Sequence, residues 1–318
     1  MAVQRYNTEF TPPATMILAG VLVAISVADA FTGGLLERLG WARGIDIQYG
    51  QYWRLLTSAF VHANVMHILF NAYGLWVLGV IFERLHGWRP LVLVFAASAV
   101  GGSALAMTFY DPNIPLVGAS GGVYGLFGAV LGVMYVRTGS VRGIMQVPMG
   151  RQLLLWLGFG VVMSMMPGIS MLGHLGGFVP GAMLGVFYEH RYKRELDIYH
   201  KLSVVVLALG IAGAAAFACV PFTRASWHAC NAIRAYESGD NQAGDAHFAK
   251  ARTKRARDEG SRDLLEHLEL WNLSPKRDLN ELRAPLTHPE GLVIDGRRVP
   301  EMPFSFLTRK GDVLESAD

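Results

Sequence analysis

The sequence "GASGGVYG", residues 118–125, opens an apolar run that continues to Val136. A single hydroxyl, on Ser120, stands among glycines where a hydrophobic helix begins. A helix start presents unpaired N–H groups and a positive dipole, and glycines allow a second helix to approach closely. The pattern has two interpretations, a helix N-cap or a nucleophile held at a helix end.

The composition around this stretch is typical of a membrane protein. Of the 318 residues, 52% are hydrophobic and 17% charged, whereas roughly a quarter are charged in soluble domains. Because a span needs about 20 apolar residues, we expect an all-α polytopic membrane protein with seven spans. They lie near residues 14–31, 64–82, 91–110, 120–136, 152–166, 171–188 and 202–220. A dispersed net charge of +3 does not indicate a nucleic-acid partner.

The distribution of positive charge predicts the orientation. With a cytoplasmic N-terminus, the inner segments hold ten Lys and Arg residues and the outer loops three, as the positive-inside rule requires. The seventh span then leaves the C-terminal tail outside. A cleaved signal peptide ending near "VADA", residues 27–30, is the alternative for the first span, but one Arg and one Glu before it make a poor n-region.

Polar residues converge at the outer ends of three spans. His62, His67 and Asn71 lie near the start of the second span, Ser120 starts the fourth, and His174 lies near the start of the sixth. Ionisable residues at membrane depth are costly, so they are functional candidates. Their shared depth predicts one site near the outer face.

These residue types suit acyl transfer. The Ser120 hydroxyl needs a neighbouring base, and neutral imidazole at His174 supplies one near pH 7. His67 and Asn71 are four apart and share a helix face, so with the Ser120 N–H they are candidates for an oxyanion hole. No carboxylate accompanies His174, which predicts a dyad rather than a triad. Tyr124, one turn after Ser120, is placed to pack on the imidazole.

Small residues should allow the fourth and sixth spans to meet. Gly121, Gly125, Gly128 and Gly132 lie along the fourth span, while Gly173, Gly177 and Gly181 recur every four residues on the sixth. That spacing lines one helical face.

Taken together, these motifs resemble the rhomboid family of intramembrane serine proteases over about residues 14–190. The matching stretches are "GASG" from Gly118, "HLGGFVPG" from His174, "HANVMHILFN" from His62, the pair Trp53-Arg54 and the pair Glu83-Arg84. Gly173 departs from the alanine usual in the family, but it keeps the position small.

The resemblance implies a six-helix bundle that cleaves transmembrane proteins within or beside their spans. Ser120 would be the nucleophile and His174 the base; His67 and Asn71 would line the oxyanion hole, and Tyr124 would stack on the base. The site would be a water-filled cavity open to the outer face, which substrates enter laterally past the fifth helix.

We therefore expect four segments. They are a cytoplasmic N-terminal segment (1–13), a six-helix protease core (14–190), a cytoplasmic loop with a seventh transmembrane helix (191–220) and an extracytoplasmic, partly helical tail (221–318). The tail holds 31 of the 53 Asp, Glu, Lys and Arg residues. Gly244, Phe248 and Ala251 loosely echo a tetratricopeptide helix pair, but one such pair cannot bury a continuous core. Cys219 and Cys230 are either a disulfide or two thiols.

Other interpretations remain open. The rival functions are an inactive rhomboid-like protein that binds transmembrane clients, and a transporter or channel. His62 is a candidate for holding the outer loop, Trp53-Arg54 for a structural role in the first loop, and Glu83-Arg84 for a cap or ion pair at a helix end. A zinc site of the three histidines lacks a His-Glu-x-x-His signature. We expect no cofactor or metal, transmembrane substrates and lipid as partners, and a bacterial plasma membrane as the location.

Overall fold

The computed structural model describes residues 11–221, 223–254, 259–274, 279, 282, 293–294 and 297–298. The described chain is helical apart from one short antiparallel hairpin. The helices are α1 (Pro13–Phe31), α2 (Leu35–Gly40), α3 (Gly44–Gln48), α4 (Arg54–Thr57), a 3₁₀ turn (Ser58–Phe60), α5 (Val65–His86), α6 (Trp88–Phe109), α7 (Ser120–Thr138), α8 (Val141–Gln146), α9 (Pro148–Met163), α10 (Met171–Lys193), α11 (Ile198–Cys219), α12 (Ala225–Glu237), α13 (Asn241–Thr253) and α14 (Glu259–Leu273). The strands are β1 (Val293–Ile294) and β2 (Arg297–Arg298). The predicted all-α class is confirmed.

The chain forms two compact units. The first contains the residues up to Ala42 together with Tyr52–Tyr110 and Pro115–Cys219. The second contains Arg43–Gln51, Asp111–Ile114 and the described residues from Val220 onward. The division into segments at residues 13, 190 and 220 stays a prediction, and most of the Pro-rich, charged stretch after Ser274 lies outside the described residues.

Five helices of the first unit are long and apolar enough to cross a membrane, namely α1, α5, α6, α10 and α11. They coincide with five of the seven predicted spans. The other two predicted spans coincide with the glycine-rich α7 and with α9, which has 16 residues. Large apolar side chains point away from the protein, such as Ile17, Leu155 and Leu209 at 67%, 75% and 67% exposure. Lipid tails are the environment that suits such a surface, and the protein is a multi-pass integral membrane protein.

A glycine face joins α7 to α10. A Cβ atom on Gly177 would collide with the Gly121 carbonyl, and one on Gly181 would collide with the Gly125 carbonyl. Backbone therefore packs on backbone at these two levels, as small residues allow in membranes. Gly173, predicted on the same face, contributes its carbonyl oxygen, which lies 3.4 Å from the Cβ direction of Gly121, whereas its own Cβ direction points at the Ser170 hydroxyl, 2.8 Å away.

Glu83 lies buried at the end of α5 and caps the start of α1. Its carboxylate accepts hydrogen bonds from the N–H groups of Ala14 (3.0 Å) and Thr15 (2.8 Å), and from the Thr15 hydroxyl (2.7 Å). These are N–H groups that a first helical turn leaves unpaired, and a negative charge is favourable there. The neighbouring Arg84 is exposed.

Arg54 holds the loop that follows α1. Its guanidinium is buried and donates to the carbonyl oxygens of Arg38 (2.8 Å) and Trp41 (3.0 Å). Two charge-assisted hydrogen bonds to backbone oxygens offset part of the cost of burying this cation. Trp53 beside it is 58% exposed.

The second unit has its own apolar core. Ile45 of α3 is fully buried there with residues of α12, α13 and α14, including Cys230, Ile233, Phe248 and Leu268. The loop segments also bond within this unit, since Ile45 N–H donates to the Pro112 carbonyl (3.1 Å). The core therefore combines the tail helices with a segment of the chain almost 200 positions earlier.

Both cysteines are free thiols, which answers the question that the sequence left open. Cys230 is fully buried in the second unit's core, and burial, with Asp46 nearby, raises the pKa of its thiol to about 12. A thiol with so little thiolate at neutral pH is a poor nucleophile. Cys230 therefore acts as a small apolar core residue.

Candidate active site

The loop before Ser120 needs glycine at position 118. Gly118 has a φ of +109°, which L side chains rarely adopt, and its N–H donates to the Ser58 carbonyl (2.8 Å). A Cβ atom there would also lie 2.5 Å from two ring atoms of His67. Backbone conformation and close approach both exclude a side chain. Ser120 then begins α7, half-buried.

His62 holds the backbone of the same loop. Its Nε2 accepts a hydrogen bond from the Ala119 N–H (3.2 Å), and its Nδ1 faces the Ser26 hydroxyl (3.5 Å). Burial, with His67 alongside, lowers the pKa of His62 to about 3. The ring is therefore neutral at pH 7 and has a lone pair for the Ala119 N–H.

The first turns of α5 bring two side chains to the same loop. The His67 ring lies against Gly118, and the Asn71 amide nitrogen is 3.5 Å from the position of a Gly118 Cβ. Asn71 is buried and also donates to the His67 carbonyl (3.0 Å). Two hydrogen-bond donors thus adjoin Gly118, which is two residues before Ser120.

His174 lies on the facing helix α10, buried against Tyr124 of α7. The two rings are stacked, with centroids 4.0 Å apart and planes 9° apart. The helices meet at the level of Ser120, since the Cβ direction of Gly121 is 3.4 Å from the Gly173 carbonyl. The residues adjoining Ser120 and His174 are therefore in contact. Within the described chain, the Ser120 hydroxyl makes no hydrogen bond to His174, a bond that often tightens only when substrate binds.

A second serine, which the sequence motifs did not predict, touches the imidazole. Ser164 directly follows α9, and its hydroxyl oxygen is 2.6 Å from His174 Nδ1. It is also 2.7 Å from the Gly160 carbonyl oxygen and 3.4 Å from the Tyr124 hydroxyl. The signal in the sequence was one polar residue in the apolar stretch "VVMSMM", residues 161–166.

Comparison with known proteins relates this part of the chain to a known family. The model of the rhomboid domain matches residues 49–191, a range that contains every candidate site residue. These residues form a rhomboid domain. The chain is 33% identical over 141 residues to "Rhomboid protease GluP" of Bacillus subtilis, which covers 42% of this chain and 26% of that protein. It is 36% identical over 178 residues to "RHOMBOID-like protein 4" of Arabidopsis thaliana, covering 50% and 44%. It is 30% identical over 196 residues to "Rhomboid-like protease 1" of Toxoplasma gondii, covering 60% and 64%. The matched part of the chain thus spans about a quarter to under two thirds of these relatives.

The rhomboid domain gathers some of the sequence-derived candidates and leaves others apart. His62, His67 and Asn71 adjoin the loop before Ser120, and His174 stacks on Tyr124 one turn further on. Glu83 and Arg84 lie at the opposite end of α5, and Arg54 lies in the loop after α1. In this structure, Glu83 and Arg54 therefore anchor backbone.

Proposed function

We propose that the chain is an intramembrane serine endopeptidase that cleaves transmembrane proteins within or beside their spans. The observation that carries this proposal is the stacking of the His174 ring on the Tyr124 ring. His174 lies on α10, and the backbone of α10 contacts the backbone of α7 beside Ser120. A base held in one plane next to a serine is the minimum for nucleophilic catalysis. The relatives named as proteases point to the same class.

The reaction begins when Ser120 Oγ attacks the carbonyl carbon of the scissile peptide bond and its proton passes to His174. The carbonyl oxygen becomes an oxyanion, which the Ser120 N–H, His67 and Asn71 stabilise by hydrogen bonds. Donors of this kind are worth roughly 100–1,000-fold each in rate. The protonated His174 then donates to the leaving amine as the carbon–nitrogen bond breaks. Water, deprotonated by His174, hydrolyses the acyl-enzyme and restores Ser120.

The orientation belongs to the same proposal. The ten-to-three distribution of Lys and Arg supports a cytoplasmic N-terminus and an active site toward the outer face. A bacterial plasma membrane is the proposed location. The substrates are membrane-spanning proteins, and the exposed apolar side chains of α1, α9 and α11 face lipid.

The test is cleavage of single-span reporter proteins by the purified full chain in liposomes. We expect Ser120→Ala and His174→Ala to abolish cleavage while their melting temperatures stay near that of the wild type. Ser203→Ala and His200→Ala, on α11 outside the family match, are matched controls that should cleave normally. Mass spectrometry of the products should locate the cut within or beside the span.

A fluorophosphonate probe separates the protease from the rival interpretation. It should label the wild type at Ser120 and fail to label His174→Ala. If no reporter is cleaved and Ser120 is not labelled in well-folded protein, the enzyme proposal is wrong and the protein binds transmembrane clients without cutting them.

A further inference from the structure

We infer that Ser164 is a positioning residue, which holds His174 in the tautomer with the proton on Nδ1 and so leaves Nε2 as the basic nitrogen. This inference rests on the proposed function, because a basic Nε2 matters only if His174 takes a proton from Ser120. Ser164 is 3% exposed and lies at the end of α9, a helix whose other buried residues are Gly150 and Leu153.

The hydrogen-bond count around Ser164 fixes the direction of each bond. A serine hydroxyl has one proton and two lone pairs, whereas a carbonyl oxygen only accepts. The 2.7 Å separation between Ser164 Oγ and the Gly160 carbonyl oxygen therefore places the hydroxyl proton between them. With that proton committed, Ser164 Oγ is an acceptor toward its other neighbours.

His174 Nδ1 is the neighbour at 2.6 Å, so it must donate. A neutral imidazole carries one N–H and one lone pair. If Nδ1 carries the hydrogen, Nε2 carries the lone pair, which is the form that accepts the nucleophile's proton. The opposite tautomer would leave an N–H at Nε2 and no base.

Tyr124 and Ser164 constrain different motions of the imidazole. Stacking on Tyr124 fixes the plane of the ring. A half-turn about the Cβ–Cγ bond returns the ring to that plane but exchanges Nδ1 with Cδ2 and Nε2 with Cε1. The bond to Ser164 distinguishes the two orientations. Together they fix both plane and rotation.

A hydroxyl suits this place better than a carboxylate would. A buried carboxylate needs paired charge at membrane depth, where ionised groups are costly. A neutral serine sets the tautomer without that cost, although it stabilises the protonated imidazole less than a carboxylate does. We therefore expect removal of Ser164 to lower the rate by roughly tenfold, the effect of about one hydrogen bond.

The test compares Ser164→Ala with Ser164→Thr, which keeps a hydroxyl, in the full-length protein. We expect Ser164→Ala to lower kcat and the rate of fluorophosphonate labelling at Ser120 by roughly tenfold, with KM changed less than twofold. Ser164→Thr should recover most of both rates. Ser203→Ala is the matched control and should leave both unchanged. A loss confined to KM, or equal losses in Ala and Thr, would contradict the inference.

A second readout does not depend on proteolysis or on how the Ser164 variants fold. In ¹⁵N-histidine-labelled wild type, the signal missing from His174→Ala identifies His174, and its shifts distinguish N–H from bare nitrogen at each ring position. We expect the proton on Nδ1. A proton on Nε2 overturns the inference even if the protease is active. A proton on Nδ1 in a folded protein that neither cleaves a reporter nor is labelled at Ser120 would refute the proposed function and leave the hydrogen-bond assignment intact.

Discussion

Tyr124 and His174 stack across the contact between α7 and α10, with ring centroids 4.0 Å apart and planes 9° apart. Tyr124 is one turn from Ser120 on the same helix, so a single rigid helix carries the nucleophile candidate and the surface on which its base rests. The relation between the two catalytic candidates is thus set by helix packing.

The stack predicts that the ring of Tyr124 matters more than its hydroxyl. Tyr124→Phe retains the stacking surface and should keep kcat within about twofold of the wild type. Tyr124→Ala removes it, and a ring pair is worth about 0.5–1.5 kcal/mol, so we expect kcat to fall roughly threefold to tenfold. Reporter cleavage in liposomes measures both. A Phe variant as impaired as the Ala variant would show that the hydroxyl, 3.4 Å from Ser164, is the important group.

The glycine face predicts a steric effect at Gly181. Gly181→Ala would drive a methyl group into the Gly125 carbonyl, and overpacking of this kind costs about 1–3 kcal/mol. We expect a lower melting temperature in detergent together with slower labelling of Ser120, because the displaced helix carries His174. Gly210→Ala is the matched control, since nothing lies within 4 Å of that position. Equal stability of the two variants would contradict the backbone-to-backbone contact.

The sequence predicted the elements of the site that depend on local spacing. Ser120 and Tyr124 share a helix face because they are four residues apart, and Gly177 and Gly181 do so for the same reason. The depth of each polar residue in the membrane then restricted which of these residues could lie close together. The resemblance of the motifs to the rhomboid family agrees with the domain match over residues 49–191, and the all-α polytopic fold predicted from the apolar runs is confirmed.

Contacts between elements that are distant in the sequence could not be predicted from local spacing. Ser164 reaches His174 because of how the end of α9 meets α10, and a lone serine in an apolar run carries no sign of that contact. The place of Ile45 beside Cys230 in the second unit likewise depends on tertiary packing across 185 positions. Local periodicity contains no information about either.

The buried His62 predicts sensitivity to acid. Its pKa in the folded protein is about 3, below the ordinary value of 6.5, so the unfolded chain binds a proton more readily. The stability that His62 contributes is complete above pH 6.5 and is lost as the pH falls from 6.5 toward 3. In His62→Gln, the side-chain oxygen remains available to the Ala119 N–H but does not titrate. Between pH 7.5 and 5, its melting temperature should therefore fall less than that of the wild type. An equal or greater fall in His62→Gln would contradict the assignment.

The core of the second unit predicts that the stability of its tail helices depends on Ile45 of α3. Ile45 is fully buried among residues of α12, α13 and α14, and truncating such a side chain to Ala costs about 2–5 kcal/mol. We expect Ile45→Ala to make the bonds after Val220 more sensitive to limited proteolysis in the intact protein. The matched control is Ile114→Ala, because Ile114 belongs to the same unit and is 55% exposed. If the two variants are digested at the same rate, the tail helices fold without the loop, and Ile45 contributes nothing to their stability.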